Sequence, residues 1–307
     1  MNPSRKLTRQ PLWRGFVLAM CLMAAQAGAQ TVATVPAEAQ GAATAGAVSA
    51  SPSLSALLAD KRYAELEQQL SDRLSSALDS LPAYRALVRD MDDLMRAKSV
   101  NAASLDAWVA SSRHGAALLV RARFLEAKAW KARGDKFSRQ TPRENFARMD
   151  QLLAAARSDF EDSLDKLGKR CDFCYAGLLG THMAQGNRQE GAAVLDQAML
   201  AMGGGLATPL GYLSFLHPKW GGSWERMESF VARFTQEFPD SPGVPLLRGA
   251  FQAHRGDALA ARDQPRQAQF VYEEGLRIDP ANGYLWARLG AVAMAQNNHE
   301  LVLHATD

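Results

Sequence analysis

Cysteine is scarce in this chain: there are three in 307 residues, and one of them, Cys21, lies close to the N-terminus. A scaffold stapled by several disulfides is excluded, so an apolar core must hold the fold. Runs that alternate apolar and polar residues, the mark of a half-buried strand, are also missing. No G-x-S-x-G, G-x-G-x-x-G or phosphate-loop pattern occurs, so hydrolysis by a nucleophile elbow and nucleotide chemistry have no starting point. With 47% hydrophobic and 22% charged residues, the chain has material for a substantial core and is not a disordered polymer.

The N-terminus carries a basic head, Arg5, Lys6, Arg9 and Arg14, followed by the apolar run Gly15 to Ala25 and the small residues Ala27 and Ala29. This is the pattern of a secretory signal peptide over residues 1–29, and the run is well short of the roughly 20 residues that span a bilayer. Met20, directly before Cys21, is too large for a lipidation site. Without the head, 31 Lys/Arg face 32 Asp/Glu, and the formal charge passes from +3 to −1. A basic surface for nucleic acid is therefore not expected. Residues 30–52, rich in Ala with a single charge at Glu38, read as a disordered linker. No transmembrane segment is expected after cleavage.

Residues 53–307 read as one helical repeat domain. Leu66, Leu70, Leu74 and Leu78 form one stripe at helical spacing, and Leu87, Val88, Met91, Leu94 and Met95 the next. Phe146, Met149, Leu152, Leu153, Ala156, Phe160, Leu164 and Leu167 predict a helix of about six turns. Turn signals separate the stripes at Leu81-Pro82, Gly134-Asp135, Gly186-Asn187, Gly203 to Gly205, Pro239 to Pro242 and Asp279-Pro280.

Near the C-terminus, Trp286, Leu289 and Gly290 resemble the W-x-x-L-G opening of a tetratricopeptide helix. Ala268, Tyr272, Gly275 and Pro280 resemble the closing half of the repeat before it. Leu179-Gly180, Met183, Gly186-Asn187 and Ala192 suggest a fainter unit, with Asp196 where an aromatic belongs, and Leu246 to Pro265 is several residues long for a regular repeat. The fold class expected is all-α, a degenerate tetratricopeptide-like array or α-solenoid. The segment Pro218, Lys219, Trp220, Gly221, Gly222, Ser223 before an amphipathic helix resembles the signature of an uncharacterised bacterial family, a domain of unknown function with tetratricopeptide-like architecture. Arg133-Gly134 and the long helix after it are similar to the same family, so the resemblance runs from about Leu54 to Pro280. It implies a helical fold in an envelope or secreted setting and no particular activity.

Cys171-Asp172-Phe173-Cys174 is the sharpest local feature. Two cysteines three apart at a helix start, in an oxidising compartment, favour a disulfide. The alternative is a redox dithiol, although no βαβ setting accompanies it and Tyr175 stands where haem attachment needs His. His299 and His304 lie five apart, off a common helix face, so they do not form the zinc pair that requires four. His114, His182, His217 and His254 are scattered. Glu228-Ser229 resembles the Glu-Ser pair of lytic transglycosylases, but the Gly-Leu-Met-Gln block is absent and Phe230, Val231 and Phe234 mark a packing helix. Trp220 and Trp224 make a possible binding loop, with the plainer reading that Gly221 and Gly222 turn the chain and Ser223 caps the next helix.

These features predict a periplasmic or secreted binding or assembly scaffold for a peptide or protein, with no cofactor and no metal. A thiol-disulfide redox protein using Cys171 and Cys174 is the alternative, and a purely structural envelope component a third reading. Leu301, Val302 and Leu303 at the C-terminal edge suggest a contact with a partner or with a second copy of the chain.

Overall fold

The computed structural model describes residues 52–136, 138–296 and 298. The signal segment, the linker as far as Ser51, and Leu301, Val302, Leu303, His299 and His304 lie outside them. Among the described residues the chain is all-helical, with thirteen α-helices, two 3-10 turns and no strand. They run in the order α1 (Leu54–Ala59), α2 (Tyr63–Ser76), α3 (Leu81–Arg96), α4 (Ala102–Ser112), α5 (Gly115–Arg133), α6 (Arg143–Leu167) and α7 (Asp172–Gln185). The second half holds α8 (Arg188–Met202), α9 (Ala207–Phe215), α10 (Trp224–Glu237), α11 (Gly243–Ala260), α12 (Pro265–Ile278) and α13 (Gly283–Ala295). No helix among these residues is long and apolar enough to cross a membrane.

Local chemistry sets the boundaries. Ser53 and Ser80 accept from backbone amides to cap α1 and α3, and Asn101 and Ser104 form a reciprocal box at the start of α4. Gly186 and Gly203 end α7 and α8 in the left-handed region, where a Cβ is penalised. The stripes are buried where the spacing puts them: Leu66, Leu70 and Leu74 in α2, and Met149, Leu153, Ala156 and Phe160 in α6. Leu78 falls past the end of α2 and is only half-buried. Gly256 lies inside α11, which continues through it to Ala260.

Most helices pack on their sequence neighbours, and several pack on the next but one; α5 against α6 and α11 against α12 are the most extensive pairs. One continuous core runs from Leu54 to Phe251, and a second joins Ala253, Ala268, Tyr272, Leu276, Leu285, Leu289 and Val292. A fully buried Leu in either contributes about 1.5–3 kcal/mol of transfer free energy. The second core is tight because a Cβ on Gly256 would lie 2.2 Å from the Tyr272 ring. At the other edge of that ring, the Tyr272 hydroxyl donates to Asp257 at 2.7 Å, and Asp257 also accepts from Tyr284 and, at 2.7 Å, from Arg288 Nε. One carboxylate thus joins α11, α12 and α13. Burial and the neighbouring Asp257 push both phenols above their ordinary range.

One contact spans 194 residues: Arg85 of α3 donates to Asp279, in the turn after α12, and both side chains are buried. Asp279 also accepts from Asn282 Nδ2 at 3.0 Å, and Asn282 Oδ1 caps α13 by accepting from Leu285 N at 3.2 Å. Removing one charge of a buried pair leaves the other uncompensated. Arg85→Met is therefore expected to cost about 3–5 kcal/mol in urea denaturation, and adding Asp279→Asn should restore part of the loss.

The repeat-packing residues at the C-terminal end divide between core and margin. Leu289 and Gly290 are buried, whereas Trp286 is only half-buried, its indole N–H donating to the Pro280 carbonyl at 2.8 Å. The stripe is centred on Leu285, Leu289 and Val292, one position away from Trp286. The rotation of α13 about its axis thus places Trp286 at the margin of the stripe. Leu285→Ala is expected to cost about 3 kcal/mol and Trp286→Ala about 2, an order that thermal or urea melts will read.

Candidate functional site

The Cys171-Asp172-Phe173-Cys174 segment opens α7. The two sulfurs lie at disulfide distance, 2.02 Å, with the Cα atoms 5.3 Å apart. Cys171 is the N-cap, its sulfur accepting from Cys174 N at 3.2 Å. The two residues between the cysteines are occupied by packing. Phe173 is buried against Tyr84, with ring centroids 5.8 Å apart. The Asp172 carboxylate accepts from the backbone amides of Leu206, Ala207 and Thr208 at 2.7, 2.6 and 2.9 Å, and from the Thr208 hydroxyl at 2.6 Å. A buried anion at the amino end of a helix is stabilised by the unpaired N–H groups there, so Asp172 caps α9 from a distance in sequence.

The far end of α9 delivers the loop that carries Trp220. His217 Nδ1 accepts from Lys219 N at 3.1 Å, and the His217 carbonyl accepts from Trp220 N at 2.8 Å, which builds the 3-10 turn Pro218–Trp220. Gly222 is required: a Cβ there would sit 1.8 Å from the Leu216 carbonyl oxygen. Ser223 accepts from Arg226 N at 3.2 Å and caps α10, whose Met227, Phe230, Val231 and Phe234 are buried. The glycine and serine positions of the Pro-Lys-Trp-Gly-Gly-Ser segment thus have a turn-and-cap explanation.

The two tryptophans point to different surroundings. Trp224 packs edge-on against His217, centroids 5.1 Å apart. Trp220 meets Trp130 edge-on at 6.3 Å, in a small cluster with Met149 and Leu153. Two cations engage Trp220 directly and a third, Arg133, acts on Lys219. Arg188 donates to its carbonyl, the Lys219 ammonium lies 5.5 Å from its ring centroid, and Arg133 lies one helical turn after Trp130. Arg133 is itself buried, donating to the carbonyls of Gly134 and Lys136 at 3.0 and 3.2 Å. Loss of water and the Arg133 charge push the Lys219 ammonium below its ordinary range, and burial does the same to Arg133.

Tertiary packing also pairs two histidines that are 37 residues apart by number: the rings of His217 and His254 lie 5.2 Å apart. His254 is buried, and its Nε2 is 3.5 Å from Ser214 Oγ, which also reaches the Leu210 carbonyl at 3.3 Å. This is no acyl-transfer triad, because the serine contact is at the limit of a hydrogen bond and the Asp257 carboxylate is engaged by two tyrosines and an arginine. Burial, followed by His217, pushes the His254 imidazole down to about 4. His217 is pushed down by burial and then by Lys219, with Asp257 opposing.

The remaining sequence candidates are placed as follows. Leu179 and Gly180 are buried in α7, with Gly180 against the carboxylate of buried Glu126. Ala268, Tyr272 and Gly275 are buried in α12, with Gly275 against Leu285, and Pro280 is exposed. In the fainter unit, Ala192 is half-buried and Asp196 exposed; the buried stripe is Gly191, Leu195 and Ala198. Glu228 and Ser229 are exposed on α10. Among the described residues no group of three or more His, Cys, Asp or Glu is placed to hold a metal.

The histidine pair dictates a pH dependence. Below the ordinary imidazole value the unfolded chain takes up protons that folded His254 refuses, so stability falls as the pH drops from about 6.5 to about 4. The loss from His254 is about 3 kcal/mol over that window, and His217 adds in the same direction. Urea midpoints measured across the window should show this slope, and His254→Gln should flatten it. No family model and no curated protein matches this chain.

Proposed function

We propose that this chain is an exported, degenerate tetratricopeptide-like scaffold that holds a peptide or protein partner in the periplasm or outside the cell. The repeat reading is supported by spacing. Ala268, Tyr272 and Gly275 have a counterpart in Gly191, Leu195 and Ala198, with the same intervals of four and three, and both sets are buried. It is supported as well by packing between helices that are neighbours in sequence. The array is irregular, since α6 runs from Arg143 to Leu167 and the Arg85–Asp279 contact joins α3 to the distant turn after α12. The resemblance carried by Pro218 to Ser223 and the basic, apolar N-terminal segment support an envelope setting.

The observation that carries the binding function is the patch at Trp220. Its ring is braced by Trp130, its carbonyl is held by Arg188, and the Lys219 ammonium lies over it. Rigid aromatics flanked by cations favour a partner segment that carries carboxylates, because Trp and Arg supply contact area and charge at low entropic cost. A catalytic dithiol is disfavoured by the full burial of Cys174 and by the occupation of Asp172 and Phe173 in packing.

The test is retention of partners from an envelope extract on the immobilised chain beginning at Gln30. A partner eluted by raised salt, and lost with Trp220→Ala and with Lys219→Glu while the thermal midpoint changes little, is the expected result. Equal retention by wild type and both variants would remove the patch from the binding surface.

A further inference from the structure

The geometry points to a second property of the cysteine pair: Cys171 is the site of modification by a small thiol that carries a carboxylate, and Cys174 is the sulfur it displaces and the one that later expels it. The two sulfurs differ in access. Cys174 is 0% exposed and Cys171 5%, and only Cys171 lines a surface cavity of about 230 Å³ between α2 and the end of α6. Attack on a disulfide requires approach to one sulfur, so access selects Cys171.

The cavity has the walls for such a thiol. Leu74 and Leu167 line it, as do the exposed ion pair Arg170 and Asp79, 3.7 Å apart. Ser71 lines it too, and its hydroxyl is buried with no hydrogen-bond partner, a vacant group for a ligand's amide or carboxylate. The volume suits a molecule of peptide-fragment size rather than a protein surface, and Arg170 supplies the counter-charge for a carboxylate.

The chemistry balances as thiol-disulfide exchange. The thiolate sulfur attacks Cys171 Sγ and forms a new S–S bond, while the Cys171–Cys174 bond breaks and its electron pair leaves on Cys174 Sγ, which takes a proton from water. Ser163 Oγ is 3.3 Å from that sulfur and 2.8 Å from the Gly115 carbonyl. Its own hydrogen goes to the carbonyl, and the new Cys174 thiol donates to its lone pair. A buried thiol has a raised pKa and is a poor leaving group, so the exchange is slow; proximity makes its reversal, attack by Cys174 on the mixed disulfide, fast once deprotonated. The modification is thus reversible and confined to one residue.

Folded wild type incubated with glutathione, quenched in acid and mapped by peptide mass spectrometry is the direct test. The glutathione adduct is expected on Cys171 and the free thiol on Cys174; an adduct on Cys174, or reduction only on unfolding, overturns the proposal. Single-cysteine variants give a second reading. Cys174→Ser is expected to react with glutathione disulfide at least about tenfold faster than Cys171→Ser, the difference vanishing in urea. Equal rates in the two folded variants overturn it. Arg170→Glu should slow glutathione disulfide at least about threefold and leave neutral hydroxyethyl disulfide unchanged, whereas equal slowing of both removes the carboxylate from the proposal.

Discussion

The carboxylate of Asp172 is the interaction on which the middle of this molecule depends. A buried charge is tolerated only where donors surround it, and here the donors are the three unpaired amides at the start of α9 together with the Thr208 hydroxyl. The cap fixes the amino end of a nine-residue helix, Ala207–Phe215, that is almost wholly buried. The carboxyl end of the same helix delivers His217 and the turn bearing Trp220. Position 172 lies between the two cysteines, so the disulfide segment and the Trp220 patch are connected through one short rigid element.

A second set of constraints closes the C-terminal helices. Gly256 lets the Tyr272 ring lie against the backbone of α11, and Asp257, the next residue, takes the hydroxyls of Tyr272 and Tyr284 and the Arg288 guanidinium. Asp279 performs a comparable task at the following turn, answering Arg85 from α3 and Asn282 from its own turn. In each case a carboxylate gathers donors from separate helices. Losing one donor exposes the rest to the full cost of an unpaired buried charge, so polar geometry here specifies which helices meet as firmly as apolar area does.

The Trp220 patch and the histidine pair meet at His217. Its Nδ1 receives the Lys219 amide and shapes the turn, while its ring lies between Trp224 and His254. The neutral imidazole is the form that accepts that amide, and burial favours the same form. Conformation of the cationic patch and protonation of the buried pair are therefore coupled through one side chain.

The all-helical class was legible in the sequence because an amphipathic helix repeats its apolar residues every three or four positions, and that period is a local property. Leu66, Leu70 and Leu74, the long stripe from Met149 to Phe160 and the Ser223 cap are read from neighbours along the chain, and they stand in the structure as the spacing places them. The cysteine pair is equally local, three residues apart at a helix start. The rotation of a helix about its axis is not local. It left Trp286 at the margin of the stripe centred on Leu285, and it set Gly191, Leu195 and Ala198 inward in place of Ala192 and Asp196. Contacts between distant segments were also invisible: Arg85 with Asp279, Asp172 with α9, His217 with His254, and Asp257 with two tyrosines. A buried polar group chooses its partner by where the backbone brings a donor within about 3 Å, and that distance is decided by the packing of helices far apart in the chain.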